Sequence, residues 1–535
     1  MQISDTKTGR TTINTMKTSS LVTYDIYICI VIFIISLIYY LTYASYGYSE
    51  SDWGGIVVAA KLFLNGDIFY KDFSIVYTPG IYLYTALAFK IFGIKLWSAL
   101  AAWTFIRAIN CSLFYLLGRK FFQHKVAVIL SLILWIIPGP IHKSFLIFLG
   151  LLHLIIFLKL INSNNKVLYL FSGLIAGVSF IFRFDLLLSF VITLLLIESM
   201  KLIKPIESKS FKLQIMTSIK NFLIFCVGTL SSILLFVLYL VYNSVLSEAI
   251  NQTLSFLGRE RSGMFSLPPL SKITSWGIWD FSHYAVVFVP LGISLLLLIE
   301  IIRNIKVKRF GDIDRQLLVL FVYGLLSLHQ VLRWPWVGRL FQILPPFIIA
   351  DIYLILTHYF NHDRFIKKPH LIYTIFMIAT NLVLFSLIIG SLTMSDMYTN
   401  NSILIRLTNK TLLSVPKVSV YTTKKKAEEV HKVIDIIETE TSKDDYIYIV
   451  QYYPMYYFIT DRKNATRYYF LEAYVYSEEK QLEVIKELED KNVKLVISGP
   501  NHPETPEATI LNAYLSKNFE IIERVGEKII YKKRG

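Results

Sequence analysis

Residues 167–200 read VLYLFSGLIAGVSFIFRFDLLLSFVITLLLIESM, and almost all of the stretch is apolar. Before Glu198, charge enters it only at Arg183 and Asp185, in Phe182-Arg183-Phe184-Asp185. Runs of this kind match the roughly 18–20 apolar residues that cross about 30 Å of hydrocarbon at 1.5 Å per residue. They lack the polar back that a water-soluble amphipathic helix carries. The interruption therefore reads as a tight turn between two membrane spans, 167–182 and 184–200.

The same pattern recurs on both sides. The expected spans are 24–43, 96–117, 126–139, 144–161, 167–182, 184–200, 219–242, 284–302, 316–332, 340–358 and 370–393. Composition agrees, since 54% of the 535 residues are hydrophobic and 17% are charged, against about 25% charged in an ordinary soluble chain. The formal net charge of +16 has its source in short loops such as Arg119, Lys120 and Lys125, or Arg303, Lys306, Lys308 and Arg309. The positive-inside rule assigns these loops and the polar tail 1–23 to the cytoplasm, giving eleven spans in the plasma membrane and an external C-terminus. The first span is too long for a signal-peptide core and has no small-residue cleavage site, so it is expected to be a retained anchor. Nucleic acid is not an expected partner, because the basic residues follow the loops and form no face with stacking aromatics. Cys29, Cys111 and Cys226 all lie in apolar runs and read as buried small hydrophobes.

Three regions follow: the tail 1–23, a transmembrane body 24–393 with a long first external loop 44–95, and an external α/β domain 394–535. The fold class is thus mostly α, a polytopic helical bundle with a small C-terminal α/β domain. In the loop, residues 54–65 are expected to form a helix lying in the membrane surface, with Lys61 snorkelling to the headgroups. In the last region, helices are expected over 425–440 and 477–491, and strands over 445–450, 493–498 and 519–532. No Gly-rich phosphate loop marks a nucleotide site there, so it reads as a structural or acceptor-positioning cap.

Ionisable residues at the edges of apolar sequence carry the functional information in such a chain. Glu50 and Asp52 come just after the first span, where a carboxylate serves as a general base or binds a metal. Arg183 either pairs with Asp185 or meets a lipid-linked phosphate through its planar guanidinium. His142 lies on a further external turn beside Lys143, Arg259 and Arg261 in the loop 244–283, and Arg333 and Arg339 in the turn 333–339. All of these fall on the side of Asp52, and together they describe an external cavity with acids and phosphate-compatible cations.

The first loop also resembles a known family. Asp52-Trp53-Gly54-Gly55, then Leu64-Asn65-Gly66-Asp67-Ile68-Phe69-Tyr70-Lys71-Asp72-Phe73, then Tyr77-Thr78-Pro79-Gly80 is similar to the first loop of GT-C membrane glycosyltransferases. The nearer likeness is to the protein-mannosyltransferase and aminoarabinose-transferase branch. The Arg183/Asp185 turn and the Gln330–Pro346 stretch are similar as well. The resemblance implies a polyprenyl-phosphate sugar donor, a glycan, lipid or protein acceptor, and an acidic residue of the first loop as base. Members often carry adjacent acids, whereas Ser51 separates Glu50 from Asp52, so the base remains open between the two. A divalent cation is compatible with this chemistry, and the sequence points to no definite cofactor. The competing readings are a lipid-linked glycan flippase, with charges expected at mid-membrane, a glycan polymerase or ligase, and a non-catalytic assembly scaffold.

Overall fold

A computed structural model describes residues 18–75, 78–137, 139–203, 210–262, 278–332, 335–360, 371–392, 403–450, 453–469, 477–499 and 509–534. Helix α1 (Thr18–Ala44) leads into the first loop, which holds α2 (Asp52–Leu64) and α3 (Gly80–Phe92). The bundle continues with α4 (Leu96–Gly118), α5 (His124–Ile136), one 3₁₀ turn (Ile141–Lys143), α6 (Ser144–Leu160), α7 (Lys166–Phe182) and α8 (Asp185–Ile203). Then come α9 (Phe211–Tyr242), α10 (Leu246–Ser262), α11 (Ile278–Lys306), α12 (Asp312–Ser327), α13 (His329–Leu332), α14 (Val337–Phe360) and α15 (Leu371–Leu392).

A helix stands at each expected span. Among the described residues, nine helical stretches are long and apolar enough to cross a membrane. The expected spans at 126–139 and 167–182 are the shorter helices α5, of 13 residues, and α7, of 17 residues. At 1.5 Å per residue these reach about 20 Å and about 26 Å. Phe114, Tyr115, Phe157, Tyr169 and Phe190 are fully buried in the bundle core. By contrast, α1, α9 and α15 turn residues such as Ile38, Leu235 and Phe385 outward, as helices facing hydrocarbon must.

Helix α16 (Ile403–Thr408) opens the C-terminal domain, followed by the hairpin β1 (Thr411–Val415) and β2 (Val418–Thr422), α17 (Lys424–Glu440), β3 (Tyr446–Ile449) and α18 (Met455–Thr460). The chain then forms β4 (Lys463–Asn464), α19 (Glu478–Asp490), β5 (Leu495–Ser498), α20 (Thr509–Asn518), β6 (Phe519–Val525) and β7 (Lys528–Lys533). The main sheet has the order β4-β3-β5-β7-β6, with β3 parallel to β5 and β7 antiparallel to both its neighbours. The single strand expected over 519–532 is in fact a hairpin that reverses between Val525 and Lys528. Apolar alternation on either side of that two-residue turn reads as continuous in the sequence.

The C-terminal domain sits on the first loop. Gly47 N–H donates to Tyr421 O at 2.9 Å, Tyr421 N–H to Ser45 O at 2.7 Å, and Leu96 N–H to Lys417 O at 2.8 Å. A shared core joins Val57, Ala60 and Phe89 of the loop to Ile449 and Phe458 of the domain. This corrects the expectation for α2: Trp53–Ala60 are all buried under α18 and beside α3, not laid on a membrane surface. Lys61 accordingly pairs with Asp461 at the end of α18 and does not snorkel. Protein rather than lipid covers the apolar face. The fit is close enough that a Cβ added at Gly54 would lie 2.5 Å from the Met455 nitrogen.

Candidate active site

A small cavity of about 40 Å³ lies at the end of the bundle that carries the first loop. Five parts of the chain wall it: Asp52, Gly55 and Ile56 from α2, Ile81 and Tyr82 from α3, His142 and Lys143 with Phe145 and Leu146, Arg183 from the α7–α8 turn, and Tyr469 from the C-terminal domain.

Asp52 is the first residue of α2, after Ser51 at the N-cap, and its side chain is 26% exposed. His142 is buried, with Nε2 3.5 Å from Asp52 Oδ2. That separation is longer than a short hydrogen bond. Trp103 stands edge-on to the imidazole at 5.9 Å and is fixed by its Nε1–H, which donates to Thr85 Oγ1 at 3.1 Å.

The turn that carries His142 is braced from α4. Arg107 donates to Gly139 O at 3.0 Å and to Ile137 O at 3.1 Å, while Asn110 Nδ2 donates to Ser144 O at 2.8 Å. Both side chains are buried, so the carbonyls before and after the 3₁₀ turn are satisfied inside protein, as buried backbone groups must be.

Arg183 and Asp185 form a forked pair, with Nε 3.0 Å from Oδ1 and Nη2 2.8 Å from Oδ2. His329 Nε2 lies 2.7 Å from the same Asp185 Oδ2, and its Nδ1 lies 2.6 Å from Leu326 O. Asp185 thus fixes the plane of the guanidinium, and α13 fixes Asp185. Helix α3 reaches this turn because Gly80 has no side chain: a Cβ would stand 2.6 Å from the Phe182 ring.

Of the residues singled out from the sequence, Asp52, His142 and Arg183 line one cavity, with Asp185 behind Arg183. Glu50 points elsewhere, into an ion cluster with Lys426 and Lys528 of the C-terminal domain. Lys61 is held by Asp461. Arg259 and Arg261 lie on α10, with side chains outside the described residues, and Arg333 is outside them altogether. Arg339 is on the first turn of α14, where its N–H donates to Trp336 O at 2.9 Å. Tyr82, Tyr469 and His329 were not singled out. A histidine closing an apolar span was the available signal for His329, whereas nothing local marks the two tyrosines.

Among the described residues no three His, Cys, Asp or Glu side chains gather in a metal-binding group. Asp52 and His142 supply two donor groups facing each other, with cations around them, which is a poor cradle for a divalent ion.

No protein-family model matches the chain, and no curated protein matches it. Solved structures do. The chain is similar to ArnT from Cupriavidus metallidurans bound to undecaprenyl phosphate, at 11% identity over 96% of this chain and 98% of that one, with a TM-score of 0.48. For ArnT in the apo state the identity is 13%, the coverage 96% and 98%, and the TM-score 0.49. The archaeal oligosaccharyltransferase AglB from Archaeoglobus fulgidus, in complex with an inhibitory peptide and a dolichol-phosphate, is similar at 13% identity over 96% of this chain and 75% of that one, with a TM-score of 0.45.

Proposed function

We propose that this protein is a membrane glycosyltransferase of GT-C type, which moves a sugar from a polyprenyl-phosphate donor to a hydroxyl acceptor with inversion. The observation that carries the reading is the cavity lined by Asp52, His142, Lys143 and Arg183. It offers one carboxylate and two cations, Lys143 and Arg183, at one end of a membrane bundle. The first loop's likeness to GT-C enzymes supports the same reading, and its charge pattern supports an extracytoplasmic location for the cavity and the C-terminal domain, with the N-terminus in the cytoplasm.

The acceptor oxygen attacks the anomeric carbon on the face opposite the phosphate. As that bond forms, the carbon–oxygen bond to phosphate breaks and its electron pair stays on the phosphate oxygen. Asp52 accepts the acceptor's hydroxyl proton. The buried His142 imidazole lies 3.5 Å away, too far for a short hydrogen bond that would compete for the carboxylate. Negative charge grows on the leaving phosphate, where Arg183 and Lys143 stabilise it more in the transition state than in the ground state. A single displacement needs one base, unlike retaining chemistry with its two closely spaced carboxylates.

The test incubates membranes containing the protein with a panel of undecaprenyl-phosphate-linked sugars and acceptor glycans, with product configuration read by NMR. The expected result is sugar transfer with an inverted anomeric centre. Retention of configuration overturns the mechanism. Movement of intact lipid-linked sugar across the membrane with no transfer supports the flippase instead.

A further inference from the structure

Only Ser51 lies between Glu50 and Asp52, yet Glu50 belongs to a different neighbourhood. Its side chain is 8% exposed and turns into the C-terminal domain. Oε1 is 3.1 Å from Lys528 Nζ and accepts from the Tyr456 hydroxyl at 2.6 Å, while Oε2 is 3.1 Å from Lys426 Nζ. The main chain is held too, because Glu50 O accepts from Met455 N–H at 3.2 Å. Lys528 is 2% exposed and lies under the Tyr453 ring, 4.8 Å from its centroid. Lys426 also meets Glu429 at 3.5 Å, so the cluster holds two cations and two anions.

A buried ion cluster of this kind is weak evidence for stability, since apolar residues of similar volume often pack as well or better. What it supplies is direction. An apolar contact tolerates sliding, whereas two ammonium groups and a phenol converging on one carboxylate define where that carboxylate lies. Immediately after Glu50, Ser51 O accepts from Gly55 N–H at 2.7 Å, which closes the first turn of α2. The helix start is thereby tied to Glu50, so that a displacement at Glu50 is passed on to Asp52. Base catalysis is sensitive to such displacement, because a 1 Å error in placement costs on the order of 100-fold in rate.

We infer that Glu50 is a positioning residue through which Lys426, Lys528 and Tyr456 of the C-terminal domain set the place of the Asp52 carboxylate in the cavity. The inference rests on the transferase reading above. It makes the C-terminal domain part of the catalytic apparatus rather than a cover. Tyr469, from the same domain, points the same way by forming one wall of the cavity.

The experiment uses the full chain in lipid nanodiscs with an undecaprenyl-phosphate sugar as donor. It compares wild type, Glu50→Gln, Glu50→Lys, the exchanged pair Glu50→Lys/Lys528→Glu, and Asp52→Asn. Binding of undecaprenyl phosphate is measured on every sample. Glu50→Gln is expected to lower kcat by about 10- to 100-fold, with the donor KM changed by less than about twofold. The exchanged pair is expected to exceed Glu50→Lys alone by about tenfold, the signature of a direct coupling. A wild-type kcat in Glu50→Gln, a loss confined to KM, or an exchanged pair no better than Glu50→Lys overturns the inference. Should Glu50→Gln fail to fold, the exchanged pair decides. If Asp52→Asn retains turnover, the reading of Asp52 as base has failed. If Asp52→Asn is inactive while Glu50→Gln is normal, only the positioning role has failed.

Discussion

At Glu50 the first loop is closed against protein, and at Asp52, two residues on, it faces a cavity. Glu50 meets two lysines and a tyrosine of the C-terminal domain. Asp52 meets His142 across 3.5 Å and shares its cavity with Lys143 and Arg183. Both are acids with cations near them, and a count of charges treats them alike. The difference lies in what remains accessible. The carboxylate of Glu50 is occupied on both oxygens by residues more than 370 positions away in the chain. That of Asp52 lines the cavity shared with His142, Lys143 and Arg183. An acid is suited to catalysis by the room around it as much as by its charge.

Four predictions break or sharpen this contrast. The largest effect belongs to Asp52→Asn, which should lower turnover by about 1,000-fold while undecaprenyl phosphate still binds, as read by parallel transfer and binding assays. Next, Arg183→Ala should lower kcat/KM by about 100-fold. Arg183→Lys should restore little of it, because an ammonium cannot reproduce the fork with Asp185 that aims the group. Gly54→Ala places a methyl group 2.5 Å from the Met455 nitrogen, so it should loosen the domain from the loop. Its expected signs are faster protease cleavage between the two regions and a turnover lowered several-fold, about what a sub-ångström shift at the base would cause.

The smallest effect concerns acid. Burial raises the Glu50 pKa, but Lys528, Lys426 and the Tyr456 hydroxyl together bring it below its ordinary value of 4.5. A carboxyl depressed in the folded state adds stability above its unfolded pKa and loses it as pH falls through the folded value. Docking of the C-terminal domain should therefore persist at neutral pH and weaken below about pH 4, as followed by hydrogen exchange of α18. Glu50→Gln should remove that part of the acid dependence.

The membrane body was legible because long apolar runs admit few alternatives, and Arg183 with Asp185 marked its own turn. The cavity was legible in part. Asp52, His142 and Arg183 could be gathered on one side from loop charge alone. The docking was not legible, because Lys426 and Lys528 sit in ordinary amphipathic segments and gain their meaning only when folding brings them to Glu50. Lys61 misled for the same reason: a lysine at the end of an apolar helix fits a headgroup as well as it fits Asp461. The role of Arg107 is not legible either, because a cation inside a span gives no sign, in sequence, that its partners are the carbonyls of Ile137 and Gly139. The hairpin at 519–533 reads as one strand in the sequence because its turn is only Gly526 and Glu527.

The most direct test of the division between the two acids is the pH dependence of kcat/KM, which reports the essential groups of the free enzyme. Wild type and Glu50→Gln should both keep an acid limb, with Glu50→Gln lower throughout, and Asp52→Asn should show residual activity with that limb gone. If Glu50→Gln abolishes the acid limb while Asp52→Asn retains it, the base is Glu50 and the account is contradicted.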